Sequence, residues 1–235
     1  MIEDSSWSNT PSSIGIVLLS HNEEFVAQIP LLNFQAFAPQ KVQDLVEVSE
    51  SDTERWKLYT YDISALTSGH FVEQWSRWMT HRDLHGLVTG EYDDCDLIHN
   101  YILEAELIQD IDYRDALVDA WVKSLEIKAA LGVLDEDHLR DHSHSKCVRG
   151  LEDLKGALIL HHDAEAALTE DEDECHYDRV VCEQVRRLAL NYFRRPEREP
   201  QDPHQLSKDE FCKIYHNHHK ENLPCYKTKT LPEER

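Results

Sequence analysis

Glycine and basic residues are both scarce in this chain. Seven glycines are scattered over 235 residues, and the sequence holds neither a Gly-rich phosphate loop nor a Gly-x-Ser-x-Gly nucleophile elbow. These absences argue against an enzyme built on either motif. Acidic residues number 46 against 24 basic ones, which gives a formal net charge of -22. Such a charge repels nucleic-acid phosphate and anionic membrane surfaces, so we expect neither as a partner.

A targeting segment and long apolar runs are missing as well. Residues 1–13 are polar, acidic and rich in serine, and the apolar run Ile14–Leu19 is too short to span a bilayer. We therefore expect an intracellular protein, either cytoplasmic or nuclear. In a reducing compartment, six cysteines are more typical of buried thiols or metal ligands than of disulfides. They are Cys95, Cys147, Cys175, Cys182, Cys212 and Cys225.

Three helical patterns follow one another between Phe71 and Lys128. In the first, large apolar residues at helical spacing predict one apolar face, formed by Phe71, Trp75, Trp78 and Met79. The opposite face is predicted to carry the polar residues Glu73, Gln74, Ser76 and Arg77. The second pattern has Asp94 as its N-cap, ends at Gln109-Asp110, and repeats Ile98, Tyr101, Ile102, Ala105 and Ile108. The third has Asp112 as its cap with Asp115 three residues on, and repeats Tyr113, Ala116, Leu117, Ala120, Trp121 and Ser124. Large side chains at this spacing predict a helical core rather than a cofactor site.

The region before these helices predicts a small sheet. A branched apolar run, Ile14–Leu19, meets a polar turn and a second short run at 24–27, which predicts a β-hairpin. A helix is predicted from Pro30 through Phe37, and a further strand at Trp56–Tyr61. The polar residues 47–54 between them predict a loop. The resulting fold class is α+β, predominantly helical, with a small sheet capped by a helical cluster.

This order of elements resembles a BTB/POZ domain, in particular the divergent versions found in fungal proteins. The resemblance covers about 13–126, and its most specific piece is Tyr101–Ala120. The other carriers are Ile14-Gly15-Ile16-Val17, Phe25-Val26, Leu31-Leu32 and Tyr61-Asp62-Ile63. The resemblance implies a non-enzymatic module for protein–protein interaction that forms homodimers or heterodimers.

A second partner follows from the same resemblance. Some members of this family dock to a cullin-3 ubiquitin ligase scaffold through a hydrophobic-x-acidic signal before the third strand. Leu45-Val46-Glu47 matches that signal, so Leu45 and Glu47 are candidate partner-binding residues for an adaptor role. The alternative is a solvated acidic loop.

The composition also predicts how the chain is divided. We expect a disordered N-terminus at 1–12, the BTB/POZ-like domain at 13–128, and a helical extension at 129–210. The extension contains helical patterns at Leu151–Leu160 and Tyr177–Phe193. An acidic loop at 169–174 should be solvated, because adjacent carboxylates repel one another. A Cys/His loop at 211–226 and a disordered tail at 227–235 complete the prediction.

The Cys/His loop is the segment with the clearest chemical potential. Cys212, His216, His218 and Cys225 offer two thiolates and two imidazoles, the ligand types that tetrahedral zinc prefers, and His219 is an alternative ligand. This segment resembles a Cys-x-Tyr-His-x-His…Cys tail that follows many fungal BTB domains. A structural zinc is therefore one interpretation. A surface loop of titratable histidines and an intrachain disulfide are the others.

A zinc-dependent hydrolase is the remaining alternative. It would recruit further metal ligands from the extension to the histidines of the Cys/His loop, and the available residues are His142, His144, His161, His162 and Asp163. Adjacent histidines such as His161 and His162 point to different faces of a helix, however. The sequence therefore favours a protein without catalytic residues.

Overall fold

The structure, a computed structural model, describes residues 14–22, 24–44, 47–49, 56–62, 68–88, 95–131, 151–162, 186–187 and 202–232. These residues form an α+β protein in which helix predominates over a small sheet, as the sequence predicts. They divide into two compact units. The first contains the described parts of Met1–Asp83, Leu107–Asp110 and Thr230–Arg235, and the second those of Leu84–Glu106 and Ile111–Lys229. None of the described helices combines the length and apolar character that crossing a membrane requires.

The first unit is built on a mixed sheet. Its strands are β1 (Ile14–His21), β2 (Glu24–Pro30), β3 (Glu47–Ser49) and β4 (Trp56–Asp62), in the spatial order β2-β1-β4-β3. β1 pairs antiparallel with β2 and parallel with β4, and β3 pairs antiparallel with β4. The turn between β1 and β2 contains Asn22 at a φ of 52°, a left-handed conformation that asparagine tolerates. The predicted hairpin and the predicted strand at Trp56 are confirmed.

The prediction of a loop at 47–54 was wrong for its first three residues. Glu47 pairs with Thr60, and Ser49 pairs with Leu58. The short strand β3 satisfies backbone groups along one edge of β4, which a loop would leave to solvent. Three residues are too few for an alternating pattern to stand out in the sequence.

Three helices accompany the sheet. They are α1 (Leu31–Phe37), α2 (Gln40–Gln43) and α3 (Gly69–His81). Ser68 caps α3 by accepting a hydrogen bond from the backbone N–H of Phe71, and α3 lies against β2 and β1. The aromatic face that the sequence predicts for α3 is buried. Gln74 and Ser76, which the spacing places on the opposite side, are buried as well, so α3 is enclosed more completely than predicted.

A buried hydrogen bond joins α3 to Asp110, the second residue after α5. The indole Nε1 of Trp75 donates to Oδ2 of Asp110 at 2.7 Å, and both residues are almost fully buried. We expect Trp75→Phe to lower the free energy of unfolding by about 1–3 kcal/mol, because the substitution removes a donor from a buried carboxylate while keeping an aromatic ring. Urea denaturation measures the effect. A Trp75→Phe variant as stable as the wild type would contradict the role given to this hydrogen bond.

The second unit is helical. Its longer helices are α5 (Cys95–Ile108), whose last two residues belong to the first unit, α6 (Ile111–Leu131) and α7 (Leu151–His162). The short helices are α4 (His85–Val88), α8 (Lys208–Tyr215) and α9 (Asn217–Lys220), with 3-10 turns at Pro203–Gln205 and Tyr226–Thr228. The apolar repeats predicted for α5 and α6 are buried throughout, and the predicted helix at Leu151 is confirmed.

The start of α6 differs from the prediction. The helix begins at Ile111, so Asp112 lies in its first turn instead of capping it. Asp115 instead accepts a hydrogen bond from the backbone N–H of Asn217. Gln109, at a φ of 63°, and Asp110 form the join between α5 and α6. The proposed cap of α5, Asp94, lies outside the described residues.

The carboxyl-terminal predictions are partly corrected. The segment expected to be a Cys/His loop contains α8, α9 and a 3-10 turn, and the expected disordered tail begins inside that turn. Lys229 donates from Nζ to Oδ2 of Asp112 at 2.6 Å, which holds this part of the chain on α6. The acidic loop at 169–174 lies outside the described residues, as does the predicted helix at 177–193 apart from the helical Arg186 and Arg187.

Candidate metal centre

An acidic stripe on α6 organises the site. Asp112, Asp115 and Asp119 are spaced by three and four residues, which places them on one face of the helix. Asp112 and Asp115 are buried, and Asp115 has no exposed surface at all. Buried carboxylates require partners, because an unpaired charge inside a protein is strongly destabilising.

The partners come from residues 207–229, which we name the C-terminal segment. Ser207 and Glu210 form a capping box that starts α8: the Ser207 hydroxyl accepts from the backbone N–H of Glu210, while the Glu210 carboxylate accepts from the backbone N–H of Ser207. His216 is extended and separates α8 from α9. After this break α9 packs against α6, whereas α8 packs against α7.

Asp115 caps α9 from a distant part of the sequence. Its Oδ1 accepts from the backbone N–H of Asn217 at 2.8 Å, and its Oδ2 accepts from the backbone N–H of His218 at 3.0 Å. No side chain at the start of α9 supplies a cap of its own. The neighbouring Arg114, also buried, donates from one guanidinium nitrogen to Asp115 at 2.9 Å and to the carbonyl oxygen of Tyr215 at 3.1 Å. The carboxylate therefore joins α6 to the helix ends of the C-terminal segment.

Asp115 also orients the ring of His218. Oδ2 of Asp115 lies 2.8 Å from Nδ1 of His218. This contact engages one of the two ring nitrogens. The other ring nitrogen, Nε2, faces Sγ of Cys212 at 3.0 Å, and this sulfur lies 3.9 Å from Sγ of Cys225. These three atoms are all within 4.8 Å of one another. We name the three residues the Cys/His cluster.

The electrostatics of the Cys/His cluster disfavour two free thiolates. Burial and the adjacent Cys225 thiol raise the pKa of Cys212 to about 12. Both cysteines are partly buried free thiols. A cation bound to the Cys212 sulfur would oppose this rise in its pKa.

His216 lies within 4.8 Å of Asp115 and His218 and also faces Asp119. Nε2 of His216 lies 3.2 Å from Oδ1 of Asp119. The other oxygen of this carboxylate, Oδ2, binds Nζ of Lys227 at 2.6 Å and accepts from the hydroxyl of Tyr226. Burial raises the pKa of Asp119, but its contacts with His216, Lys227 and Tyr226 outweigh burial and leave that pKa below its ordinary value. The His216 ring packs edge-on against Phe211. Asp119 thus remains charged and holds the second half of the C-terminal segment.

The structure brings together three of the four predicted metal ligands. Cys212, His218 and Cys225 form the cluster, His216 faces Asp119, and the alternative ligand His219 is exposed. Of the residues considered for a hydrolase, His161 is exposed on α7, the side chain of His162 is not among those described, and the remainder lie outside the described residues: His142, His144 and Asp163. Of the partner-binding residues, Glu47 begins β3, and Leu45 lies outside the described residues.

Sequence reasoning missed Arg114, Asp115 and Asp119. Their signal is visible in retrospect: charged residues interrupt a helix whose other positions are apolar almost all round. A helix buried on every side must find polar partners for such residues. The histidines and lysines near the carboxyl terminus have the complementary chemistry.

The class of site is therefore a Cys2His cluster whose histidine is held by a buried carboxylate. Comparison of the chain with protein-family profiles, with curated proteins and with solved structures finds no match.

Proposed function

We propose that this chain is a non-enzymatic protein–protein interaction module of BTB/POZ type, and that a second copy of the chain is its partner. The element order on which the resemblance rests supports the proposal: a hairpin, short helices, a strand beside β1, an aromatic helix and two longer helices. β4 runs parallel to β1, with the helices α1 and α2 in the connection between them.

The observation that carries self-association is the exposed apolar end of β2. Phe25 is 64% exposed. A register shift opposite Leu19 and Ser20 interrupts the alternation of β2, so Phe25 is exposed although Ala27 and Ile29 are buried. Leu32 and Leu107 are further large apolar residues of the first unit that are more than half exposed. Exposed apolar side chains of this size are typical of interfaces.

Charge favours a second copy as the occupant. In the described sheet β2 is an edge strand, and Glu24 is its only charged residue. A chain with a net charge of -22 repels its own copies, so an edge strand with a single charge favours the approach of two copies. An edge strand also offers unpaired backbone groups, which can pair symmetrically with the same strand of another copy.

Light scattering coupled to size-exclusion chromatography tests this proposal over a range of concentrations. We expect the wild-type chain to form a concentration-dependent dimer that strengthens as salt screens the acidic charge. Phe25→Lys should weaken the dimer at least about tenfold, since it places a charge on the proposed interface.

Leu223→Lys is the matched control. Leu223 is an exposed leucine of the second unit, 44% accessible, and its substitution makes the same change in charge. It should leave the dimer intact. A wild-type chain that stays monomeric at every concentration would refute self-association, and a Phe25→Lys dimer as stable as wild type would refute β2 as the interface.

A further inference from the structure

We propose that Cys212, His218 and Cys225 bind one zinc ion, and that this ion fastens the C-terminal segment. The site is independent of the proposed dimerisation, because all three ligands belong to the second unit. Thiolate and imidazole are the ligand types that zinc prefers, and zinc is known to bind a Cys2His set with a solvent molecule as its fourth ligand.

The distances suit a tetrahedral ion. Zinc–sulfur and zinc–nitrogen bond lengths imply sulfurs about 3.8 Å apart and a sulfur-to-nitrogen distance of about 3.6 Å. The two sulfurs lie 3.9 Å apart, and Nε2 of His218 lies 3.0 Å from Sγ of Cys212. To accept the ion, Sγ of Cys212 and Nε2 of His218 would separate by about half an ångström, and the third distance, between Nε2 of His218 and Sγ of Cys225, is within 4.8 Å.

Asp115 supplies the outer contact that zinc-binding histidines require. Its carboxylate engages Nδ1 of His218 at 2.8 Å, which directs Nε2 towards the two sulfurs. A carboxylate in this position fixes the tautomer and the orientation of the ring, and makes the histidine a stronger ligand. Asp115 is completely buried and also binds two backbone N–H groups, so the ring is held by a rigid group.

The three ligands come from separate pieces of the C-terminal segment. Cys212 lies in α8, His218 in α9, and Cys225 directly before the last 3-10 turn. The exposed residues 219–224 separate the second ligand from the third. An ion bound to all three joins pieces that have little apolar core of their own, which is how structural zinc stabilises small folds.

Metal analysis of the full chain tests the site. The reduced protein is loaded with zinc without oxygen, desalted, and measured by inductively coupled plasma mass spectrometry. We expect one zinc per wild-type chain and none retained by Cys225→Ser. His219→Gln is the matched control, since His219 is an exposed histidine beside the site, and this variant should retain one zinc. Asp115→Asn should bind zinc about 10- to 100-fold more weakly, as expected for loss of an outer contact.

Cobalt binding to the wild-type chain keeps the test independent of variant folding. Bound cobalt should show thiolate-to-metal charge transfer and the visible absorption of a tetrahedral ion. A reduced, folded wild-type chain that binds neither metal would overturn the proposal. Loss of zinc from folded His219→Gln or His216→Asn would overturn the assignment of these three ligands.

Discussion

Replacing Asp115 by alanine is expected to lower the free energy of unfolding by about 3–5 kcal/mol, a value typical of breaking a buried ion pair. The reason is that one buried carboxylate serves several donors at once. It accepts from Arg114 and from the backbone N–H groups of Asn217 and His218, and it holds the His218 ring. The alanine variant removes the closest carboxylate from a buried guanidinium and leaves the first turn of α9 uncapped.

Equilibrium urea denaturation measures this effect, and hydrogen exchange localises it. The amides of Asn217 and His218 should lose protection in Asp115→Ala because their acceptor is gone. Asp209→Ala is the matched control: Asp209 lies in the first turn of α8 but is exposed, so its loss should cost less than about 1 kcal/mol. Unchanged protection at the two amides would contradict the capping role of Asp115.

Arg114→Met is the second substitution with a large expected effect, again about 3–5 kcal/mol of unfolding free energy. Arg114 is only 1% exposed. It lies 2.9 Å from Asp115 and 3.5 Å from Glu106, and it donates to the carbonyl oxygen of Tyr215. Methionine fills a comparable volume but leaves Asp115 without its nearest cation. The same denaturation experiment measures the loss.

The double variant separates the two contributions. Removing both members of a buried pair avoids an isolated charge, so Arg114→Met combined with Asp115→Ala should cost less than the sum of the single losses. A coupling of about 1–3 kcal/mol is expected for residues in direct contact. Strictly additive losses would show that the two side chains stabilise the C-terminal segment independently.

The elements that the sequence predicts well are those with long apolar repeats. α3, α5 and α6 are confirmed because residues such as Trp75, Ile102 and Trp121 recur at helical spacing, and burial of that face is what stabilises the helix. The strand β3 was missed because three residues do not establish a period. Asp112 was assigned as a cap because aspartate prefers that position, yet Ile111 already belongs to the helix.

The candidate site was predicted only in part for a different reason. Cys212, His218 and Cys225 are recognisable by residue type, but spacing alone did not separate them from His216. The role of Asp115 depends on contact with His218, which lies 103 residues further along the chain. A single sequence contains no direct information about contacts at that separation. The one indication in the sequence was the presence of charged residues among the apolar positions of α6, since buried charges need polar partners.

The distance in sequence between α6 and the C-terminal segment has a consequence during synthesis. A ribosome adds about 5–20 residues per second, so the 103 residues between Asp115 and His218 take about 5–20 s to make. Throughout that interval the nascent chain carries Arg114 and Asp115 without the groups from the C-terminal segment that later bind them. The contacts that cover this helix are therefore completed only after residues 207–229 have been made. A ribosome stalled before Cys212 would hold an incompletely covered α6, and transiently exposed surface of this kind is prone to aggregation.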